Sequence, residues 1–278
     1  MVKMIEVDLA VVIVSWNTCA LLRQCLLALG TNDSPITRQV IVVDNASTDA
    51  SAEMVAQEFP QVTLIRNADN LGFSRANNVG IAQTQSRYVV LLNSDTIVSG
   101  DTFAALTTWM DAHPDVGICS PKLLTASGEA QAYAFGEDPT IGYLLKRGLK
   151  RVLLRQPLHN WDAPHEQDWD WVSGACMVIR REVLDQLHGL DDGIFMFFED
   201  NDFCLRARQR QWRITYVPQF SITHIGGQST KNNPAPKSRQ AYQNGLRYFY
   251  RKHYSALAQS ALSLFLLIYM ALIARTQR

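Results

Sequence analysis

The sequence predicts an α/β protein with a mainly parallel central sheet flanked by helices. In the first half of the chain, short apolar runs rich in β-branched residues alternate with stretches of helical periodicity. Most of these runs end in short polar side chains. Apolar residues make up 47% of the 278 residues and charged residues 19%, so the chain can bury a large core and is not disordered over its length.

Strands and helices follow one another in pairs up to about residue 110. The predicted strands are residues 9–17, 39–44, 62–67 and 88–95, and the predicted helices are 21–30, 49–59, 74–83 and one that follows Asp101. This spacing is typical of right-handed βαβ units and a parallel sheet. Because ligands bind beyond the carboxyl ends of the strands in such sheets, we expect the functional residues there.

The second half of the chain is less regular. Residues 171–180 and 213–217 read as strands, and residues 199–210 as a helix. Within residues 120–170 lies a basic patch of Lys146, Arg147, Lys150, Arg151 and Arg155. The patch is either a solvated helix face or a contact for an acidic acceptor or a membrane surface, and the sequence leaves both open.

A helical stretch near the C-terminus carries Tyr242, Leu246, Phe249 and Tyr250 and precedes a nearly uncharged run over residues 255–274. The length of this run is close to the ~20 residues that span a bilayer. A spanning helix, a helix lying in the interface and a core helix hidden in an oligomer all fit the pattern. We expect membrane contact.

Charge and cysteine content exclude several classes of protein. Lys and Arg number 26 and Asp and Glu 26, so no global basic field attracts nucleic acid. The five cysteines are odd in number and form no CxxC pair, which argues against a disulfide framework or a zinc ribbon. Reduced thiols, together with an N-terminus that shows no export signal, predict a cytoplasmic location.

The second predicted strand ends at Asp44, within the sequence VVDNASTD. A carboxylate at this place can accept a hydrogen bond from the imide N–H of uracil or thymine. The alternative is a turn or helix cap, a role that Asp44, Ser47 and Asp49 all suit. We favour ligand contact for Asp44 and a cap for Asp49.

Residues 70–80 read NLGFSRANNVG. Gly72 permits a tight turn before a helix, and free N–H groups and the dipole at the start of that helix favour anions. Arg75 can pair with a phosphate through two hydrogen bonds. The alternative is an ordinary loop with a surface arginine.

The fourth predicted strand runs into Asn93-Ser94-Asp95. Mg²⁺ or Mn²⁺ bound to a nucleotide diphosphate prefers hard oxygen ligands, and one or two carboxylates plus the phosphates suffice. Asp95 is the candidate ligand, and Asn93 can assist only through its carbonyl oxygen or a water. A plain turn after a strand is the alternative.

Two further motifs lie in the second half. In FFEDND (residues 197–202), a carboxylate at the rim of an apolar pocket can act as a general base. Complementation of the helix dipole explains Asp202 well but explains Asp200 poorly if Asp200 points into a cleft. His224, followed by two glycines, suits a loop over phosphates, as a metal ligand or a phosphate donor. A lone histidine is more often structural, so His224 counts only beside the other motifs.

Seven motifs together cover residues 9–230 in order: VVIVSWN, VVDNASTDAS, NLGFSRANNVG, LLNSDTIV, SGACMVIRREV, FFEDNDFCLRAR and HIGGQST. In this combination the chain resembles the inverting, nucleotide-sugar-dependent glycosyltransferases of family 2, which have the GT-A fold. It looks most like bacterial rhamnosyltransferases of cell-surface polysaccharide synthesis. The resemblance implies a GT-A domain over residues 1–230 and a C-terminal helical segment over residues 231–278, for which we expect association with a membrane.

The resemblance also implies an activity. A sugar, with rhamnose from dTDP-rhamnose favoured, would pass from a dTDP- or UDP-sugar to a hydroxyl of a glycan or lipid-linked acceptor. The transfer would take place at the cytoplasmic face of the inner membrane, with Mg²⁺ or Mn²⁺ as cofactor. Asp200 would deprotonate the acceptor hydroxyl.

Further roles carry over in the same way. Asp44 would hold the donor base, Arg75 would lie near the donor phosphates, and Asp95 and His224 would bind the metal. The implied donor-binding residues are Ser15, Asn17, Asp44, Asn70, Gly72, Arg75, Asn77, Asn93 and Asp95. The chain departs from the family pattern at Asn93, which stands where the first aspartate of a DxD motif is usual.

Two other functions remain as alternatives. A sugar nucleotidyltransferase should show a glycine-rich, basic phosphate loop after the first strand, and residues 15–18, SWNT, are not such a loop. A non-catalytic relative tethered to a membrane and binding nucleotide sugars would be expected to lose the base. Glu199 and Asp200 are both present.

Overall fold

The structure is a computed structural model that describes residues 7–30, 35–150, 158–226 and 235–276, with side chains in the last range described for residues 238–267. Arg151, Arg155 and the glycine loop after residue 226 lie outside these ranges. The predicted boundary between residues 230 and 231 also lies outside them.

Strands in the described residues alternate with helices in the order predicted for the first half. The strands are β1 (Val7–Ser15), β2 (Arg38–Asp44), β3 (Thr63–Arg66), β4 (Ser86–Asn93), β5 (Thr96–Ile97), β6 (Val116–Leu124), β7 (Phe135–Gly136), β8 (Gln167–Asp168), β9 (Trp171–Val172), β10 (Cys176–Arg180) and β11 (Arg213–His224). The helices are α1 (Cys19–Gly30), α2 (Ser51–Glu58), α3 (Gly72–Ile81), α4 (Thr102–Ala112), α5 (Ile141–Leu149), α6 (Arg181–Leu187), α7 (Glu199–Gln209), α8 (Ala235–His253) and α9 (Ala256–Thr276).

The main sheet has a parallel half and a mixed half. Its strand order is β3-β2-β1-β4-β10-β6-β11-β5. The first four strands are parallel, whereas β10 runs antiparallel to both β4 and β6. Nearly every residue of β1 and β4 is buried, as expected for parallel strands with both faces covered. The α/β fold with a central sheet between helices is confirmed.

The mixed half differs in detail from the sequence prediction. The strand predicted over residues 171–180 is two strands, β9 and β10, separated by a turn. The strand predicted over residues 213–217 continues to His224 as β11. No strand was predicted where β6 lies, because Pro121 and its polar neighbours interrupt a short apolar run. Paired with β10 and β11, β6 is nonetheless almost wholly buried.

A second, smaller apolar cluster joins α5, α8 and α9 to the start of α7. Its buried members are Tyr143, Leu144, Phe198, Leu246, Phe249, Tyr250, Leu262 and Leu266. The helix predicted around residues 242–250 is confirmed as α8. Within the described ranges, no helix combines the length and the hydropathy needed to cross a membrane.

A charge network fixes α8 against α7. The Asp202 carboxylate is completely buried and accepts hydrogen bonds from Arg206 Nε (2.7 Å) and His253 Nε2 (2.7 Å). Lys252 Nζ lies 2.7 Å from Asp202 and also pairs with Asp191. Burial alone would raise the pKa of Asp202, but the hydrogen bond from His253 and the charge of Arg206 hold the pKa at about 2. Helix α8 is therefore attached to α7 by an ion pair between Lys252 and Asp202.

Candidate active site

The strand ends bring the predicted motifs to one edge of the sheet. Ser15 at the end of β1 is in register with Asp44 on β2, and Val14 is in register with Asn93 on β4. Because β10 is antiparallel to β4, it begins at this same edge, and the Asn93 N–H donates to the Ala175 carbonyl (3.0 Å). The site thus draws on both halves of the sheet.

Asp44 is 4% exposed and its two carboxylate oxygens differ in their surroundings. Oδ2 accepts a hydrogen bond from the Ser47 N–H (3.2 Å), which fixes the side chain. Oδ1 is buried and has no hydrogen-bond partner among the described residues. A buried carboxylate oxygen without a partner is costly, and a ligand N–H would remove that cost.

The loop after β2 is held by Asn17, whose φ of 55° lies in the left-handed region. Asn17 Oδ1 accepts the N–H of Thr48 (2.7 Å), and the Asn17 N–H donates to Ser47 Oγ (3.0 Å). Asp49 accepts the N–H groups of Cys19 and Ser51, which begin α1 and α2 (both 3.0 Å). These contacts brace the loop around Asp44 rather than leaving it free to move.

Ser15 is completely buried and belongs to a short chain of hydroxyl groups. Its Oγ lies 2.9 Å from Thr18 Oγ1, which in turn lies 2.9 Å from Ser94 Oγ. This chain connects the end of β1 with the Asn93-Ser94-Asp95 turn.

Asn45, which the sequence analysis did not single out, organises the loop before α3. Its Nδ2 donates to Asn70 Oδ1 (2.9 Å), and its Oδ1 accepts the Leu71 N–H (3.0 Å). Asn70 Oδ1 also accepts the Gly72 N–H (2.9 Å). Gly72 has a φ of 79°, and a Cβ there would overlap the carbonyl oxygen of Phe195. Only glycine fits this contact between the loop and the segment that precedes α7.

Two predicted donor-binding residues lie on α3. Arg75 is exposed, and its Nε donates to the Asp192 carbonyl (2.9 Å). Asn77 is 1% exposed, and its Nδ2 donates to the Phe73 carbonyl one turn earlier (2.9 Å). Arg75 therefore links α3 to the segment before α7, and Asn77 makes a contact within its own helix.

Asp95 and His224, predicted as metal ligands, lie next to each other. The Asp95 carbonyl accepts the Ile225 N–H (2.9 Å), and this contact sets His224 Nε2 3.1 Å from Asp95 Oδ1. Asn93 Nδ2 lies 3.2 Å from the same nitrogen. On the other side of the ring, Nδ1 lies 2.9 Å from Gln131 Oε1, an acceptor.

This donor set fits a divalent cation. An Nδ1–H bonded to Gln131 leaves the lone pair of His224 Nε2 directed at a carboxylate oxygen, and a shared cation satisfies both groups. A carboxylate and an imidazole are accepted ligands of Mn²⁺, and a carboxylate of Mg²⁺. Within the described residues no group of three His, Cys, Asp or Glu side chains assembles, so further ligands would come from a diphosphate and water. Gln131 lies in a stretch that carries no recognisable motif.

The Glu199-Asp200 pair begins α7 after two residues in the left-handed region, Phe197 (φ 67°) and Phe198 (φ 71°). Burial raises the pKa of Asp200 to about 6, although the N–H groups of Asn201 (2.8 Å) and Gly174 hydrogen-bond its carboxylate. Burial and the neighbouring Asp200 charge raise the pKa of Glu199 to about 8. Asp200 is therefore a stronger base than an ordinary carboxylate and is still ionised at neutral pH.

Gly174 connects the Asp200 carboxylate to the Asn93-Ser94-Asp95 turn. It precedes Ala175, which accepts the Asn93 N–H, and a Cβ on Gly174 would lie 3.3 Å from the ring of Phe73. Asn201 reaches the same region from α7: with its amide nitrogen toward Asp200 Oδ1 (3.1 Å), its oxygen accepts from Trp171 Nε1 (3.0 Å). Contacts between neighbouring residues thus connect the Asp200 region to the Asn93-Ser94-Asp95 turn.

A model of the glycosyltransferase-like family 2 matches residues 7–247. The chain belongs to this family. It is a glycosyltransferase, and the same strand-end loops that carry its motifs form the edge described above.

Two curated relatives and one solved structure are similar to this glycosyltransferase. An N-acetylglucosaminyl-diphospho-decaprenol L-rhamnosyltransferase of Mycobacterium tuberculosis is 28% identical over 248 residues, which are 82% of this chain and 79% of the relative. The rhamnosyltransferase WbbL of Escherichia coli is 24% identical over 77% of this chain and 83% of its own. A mannosyltransferase of Pyrobaculum calidifontis, solved with GDP-Man and Mn²⁺, is 16% identical over 98% of this chain and 83% of its own, with a TM-score of 0.57.

Proposed function

We propose that this glycosyltransferase moves a sugar, with inversion at the anomeric carbon, from a nucleoside diphosphate donor to an acceptor hydroxyl. The observation that carries the proposal is the meeting of three groups at one sheet edge: the partnerless oxygen of Asp44, the Asp95–His224 pair and the basic carboxylate of Asp200. The first two suit a donor and the third suits an acceptor.

Asp44 selects the donor base. Its Oδ1 would accept the imide N–H of uracil or thymine, and the contact from Ser47 to Oδ2 keeps Oδ1 in place. Ser15, Asn17 and Asn70 support the loops around it. A guanine base presents a different pattern of donors and acceptors to the same oxygen.

Asp95 and His224 would hold Mg²⁺ or Mn²⁺, whose chemistry is to stabilise the negative charge on the leaving diphosphate. Asn93 lies against the same imidazole nitrogen and completes this side of the site. Arg75, exposed at the start of α3, adds a positive charge for the donor phosphates. Gly72 lets the backbone of this loop pass close to the segment before α7.

Asp200 takes the proton from the acceptor hydroxyl as its oxygen attacks the anomeric carbon. The bond to the diphosphate breaks on the opposite face of the sugar, so the configuration inverts. The raised pKa suits a base that must be ionised before the reaction and must hold a proton after it. Holding donor and acceptor in line supplies much of the remaining acceleration.

We favour rhamnose from dTDP-rhamnose as the donor, because relatives named as rhamnosyltransferases match over most of the chain. The name of the mycobacterial relative supports an acceptor linked through a diphosphate to a polyprenol. Such an acceptor resides in a membrane, so we propose that the chain works at the cytoplasmic face of the inner membrane in cell-surface polysaccharide synthesis.

A donor screen tests the proposal. The purified chain is mixed with Mn²⁺ or Mg²⁺ and with dTDP-, UDP- and GDP-sugars, and thermal shift and released nucleotide are measured. We expect dTDP-rhamnose to give the largest stabilisation, with the Asp44→Asn variant losing about tenfold in affinity for dTDP- and UDP-sugars only. Failure of every nucleotide sugar to stabilise the chain would contradict the proposal.

A further inference from the structure

The basic residues of the chain are unevenly distributed. Residues 140–158 and 231–278 contain half of the 26 Lys and Arg residues and none of the 26 Asp and Glu residues. The rest of the chain is correspondingly acidic. The first segment includes α5 and the second includes α8 and α9.

These helices also expose large apolar side chains. Leu145 and Leu149 on α5 are 54% and 61% exposed, and Leu257, Leu264 and Leu267 on α9 are 82%, 60% and 70% exposed. The spacing within each set places its members on one side of the helix. The other sides of both helices face the smaller apolar cluster, where Tyr143 and Leu144 are buried with Leu262 and Leu266.

We propose that these five leucines, together with Lys146, form a face that binds an anionic phospholipid surface; we call it the α5–α9 face. Insertion of leucines below the headgroups and attraction of cations to anionic lipids are the two contributions that hold an interfacial helix. Exposed Arg247 and Arg251 on α8 add to the attraction. A second copy of the chain fits less well, because a two-fold contact would bring like charges of this face together.

The α5–α9 face is close to the base. The cluster beneath it contains Phe198, the residue directly before Glu199-Asp200, and Tyr242 of α8 packs on the Phe198 ring (5.0 Å between centroids). A bilayer bound at this face would contact helices that share one apolar cluster with the segment that holds Asp200. The inference rests on the proposed transfer to a membrane-borne acceptor and specifies the surface that meets the membrane.

Vesicle sedimentation of the full chain tests the face. Vesicles of phosphatidylcholine alone are compared with vesicles that also contain phosphatidylglycerol. We expect binding to the anionic vesicles only, weakened at least tenfold in Leu145→Glu/Leu264→Glu and about fivefold in Lys146→Glu. The matched control is Leu27→Glu, at a leucine on α1 that is 54% exposed, and it should bind as the unaltered chain does.

Equal binding of the double variant and the unaltered chain, or no binding by either, would overturn the proposal. A loss of self-association in the double variant without vesicle binding would also overturn it, in favour of a second copy on this face. Donor-induced thermal shift is measured on the same variants and should be retained, which shows that they fold. Loss of donor response in the unaltered chain would contradict the proposed function and leave the vesicle result standing.

Discussion

The two halves of the molecule build the same site by different means. In the donor half, residues 7–112, the first four strands lie side by side in parallel, and polar side chains hold the loops both internally and to one another. In the acceptor half, residues 113–276, strands far apart in sequence pair in both directions, and α8 is attached through buried ions. The proposed donor site is thus built mainly on the first four strands of the chain, whereas the proposed base is placed by contacts between distant parts of the chain.

The segment before α7 shows how much the base depends on α8. Gly245 packs against it so closely that a Cβ would lie 2.5 Å from the Phe197 carbonyl oxygen. Tyr248 and Lys252 hold Asp191 at the other end of the segment. The left-handed conformations of Phe197 and Phe198 persist because contacts on both sides hold them.

Within the donor half, the largest effect is expected at Asp95. Asp95→Ala should lower turnover by about 10²–10³-fold and abolish the response of donor binding to metal, since it removes the group proposed to hold the cation at the diphosphate. Calorimetric titration of donor with and without chelator measures this. Asp185→Asn, at an exposed carboxylate on α6, is the control. If chelator weakens donor binding by Asp95→Ala as much as it weakens binding by the unaltered chain, Asp95 does not hold the cation.

The next largest effect is a difference in stability between variants of the two halves. Asp202→Asn removes the anion that Arg206, Lys252 and His253 share, and we expect a loss of about 3 kcal/mol in the free energy of unfolding. Glu58→Gln breaks the exposed Arg23–Glu58 pair of the donor half and should leave the unfolding midpoint unchanged. Thermal unfolding of both variants measures the difference, and equal midpoints would refute it.

The same network predicts a pH dependence of stability. The pKa of Asp202 is about 2 in the folded chain, below the ordinary value of an aspartate, so its contribution is fully present above about pH 4. It is lost as the pH falls from about 4 toward 2. The Asp202→Asn variant should lack this part of the acid transition.

The smallest expected effect is the pH dependence of kcat/KM. Because the ionised form of Asp200 is the base and its pKa is raised to about 6, kcat/KM should rise about tenfold per pH unit below that value and level off above it. Donor affinity, measured over the same range, serves as the control and should change much less. A profile that is flat between about pH 5 and pH 7 would remove Asp200 from this role.

The sequence predicted the donor half well because its signals are local. The apolar runs of β1, β2 and β4 are largely buried, and each ends where a polar motif begins, so these strands and their loops could be placed from the pattern alone. The family resemblance named both Asp95 and His224 as metal ligands, and Asp95 Oδ1 lies 3.1 Å from His224 Nε2 in the structure; their binding of a metal stays a prediction.

The acceptor half could not be predicted well, because its contacts join residues that are far apart in the sequence. The insertion of β10 between β4 and β6 depends on pairings between residues far apart in sequence, and no periodicity records them. Gln131, which orients His224 from 93 positions away, lies in a stretch with no pattern. The Asp202 carboxylate lies in the first turn of α7, where the helix dipole accounts for it, but its partners Arg206, Lys252 and His253 became evident only in the structure.

The most direct test of the two-part site is turnover and donor affinity measured together on Asp200→Asn. Loss of the base should lower kcat by about 10²–10⁴-fold while the donor dissociation constant stays within a few-fold, because the groups proposed to bind the donor, His224 apart, belong to the other half of the molecule. Near-normal turnover in this variant, or donor affinity that falls in step with turnover, would contradict the assignment of Asp200 as the acceptor base.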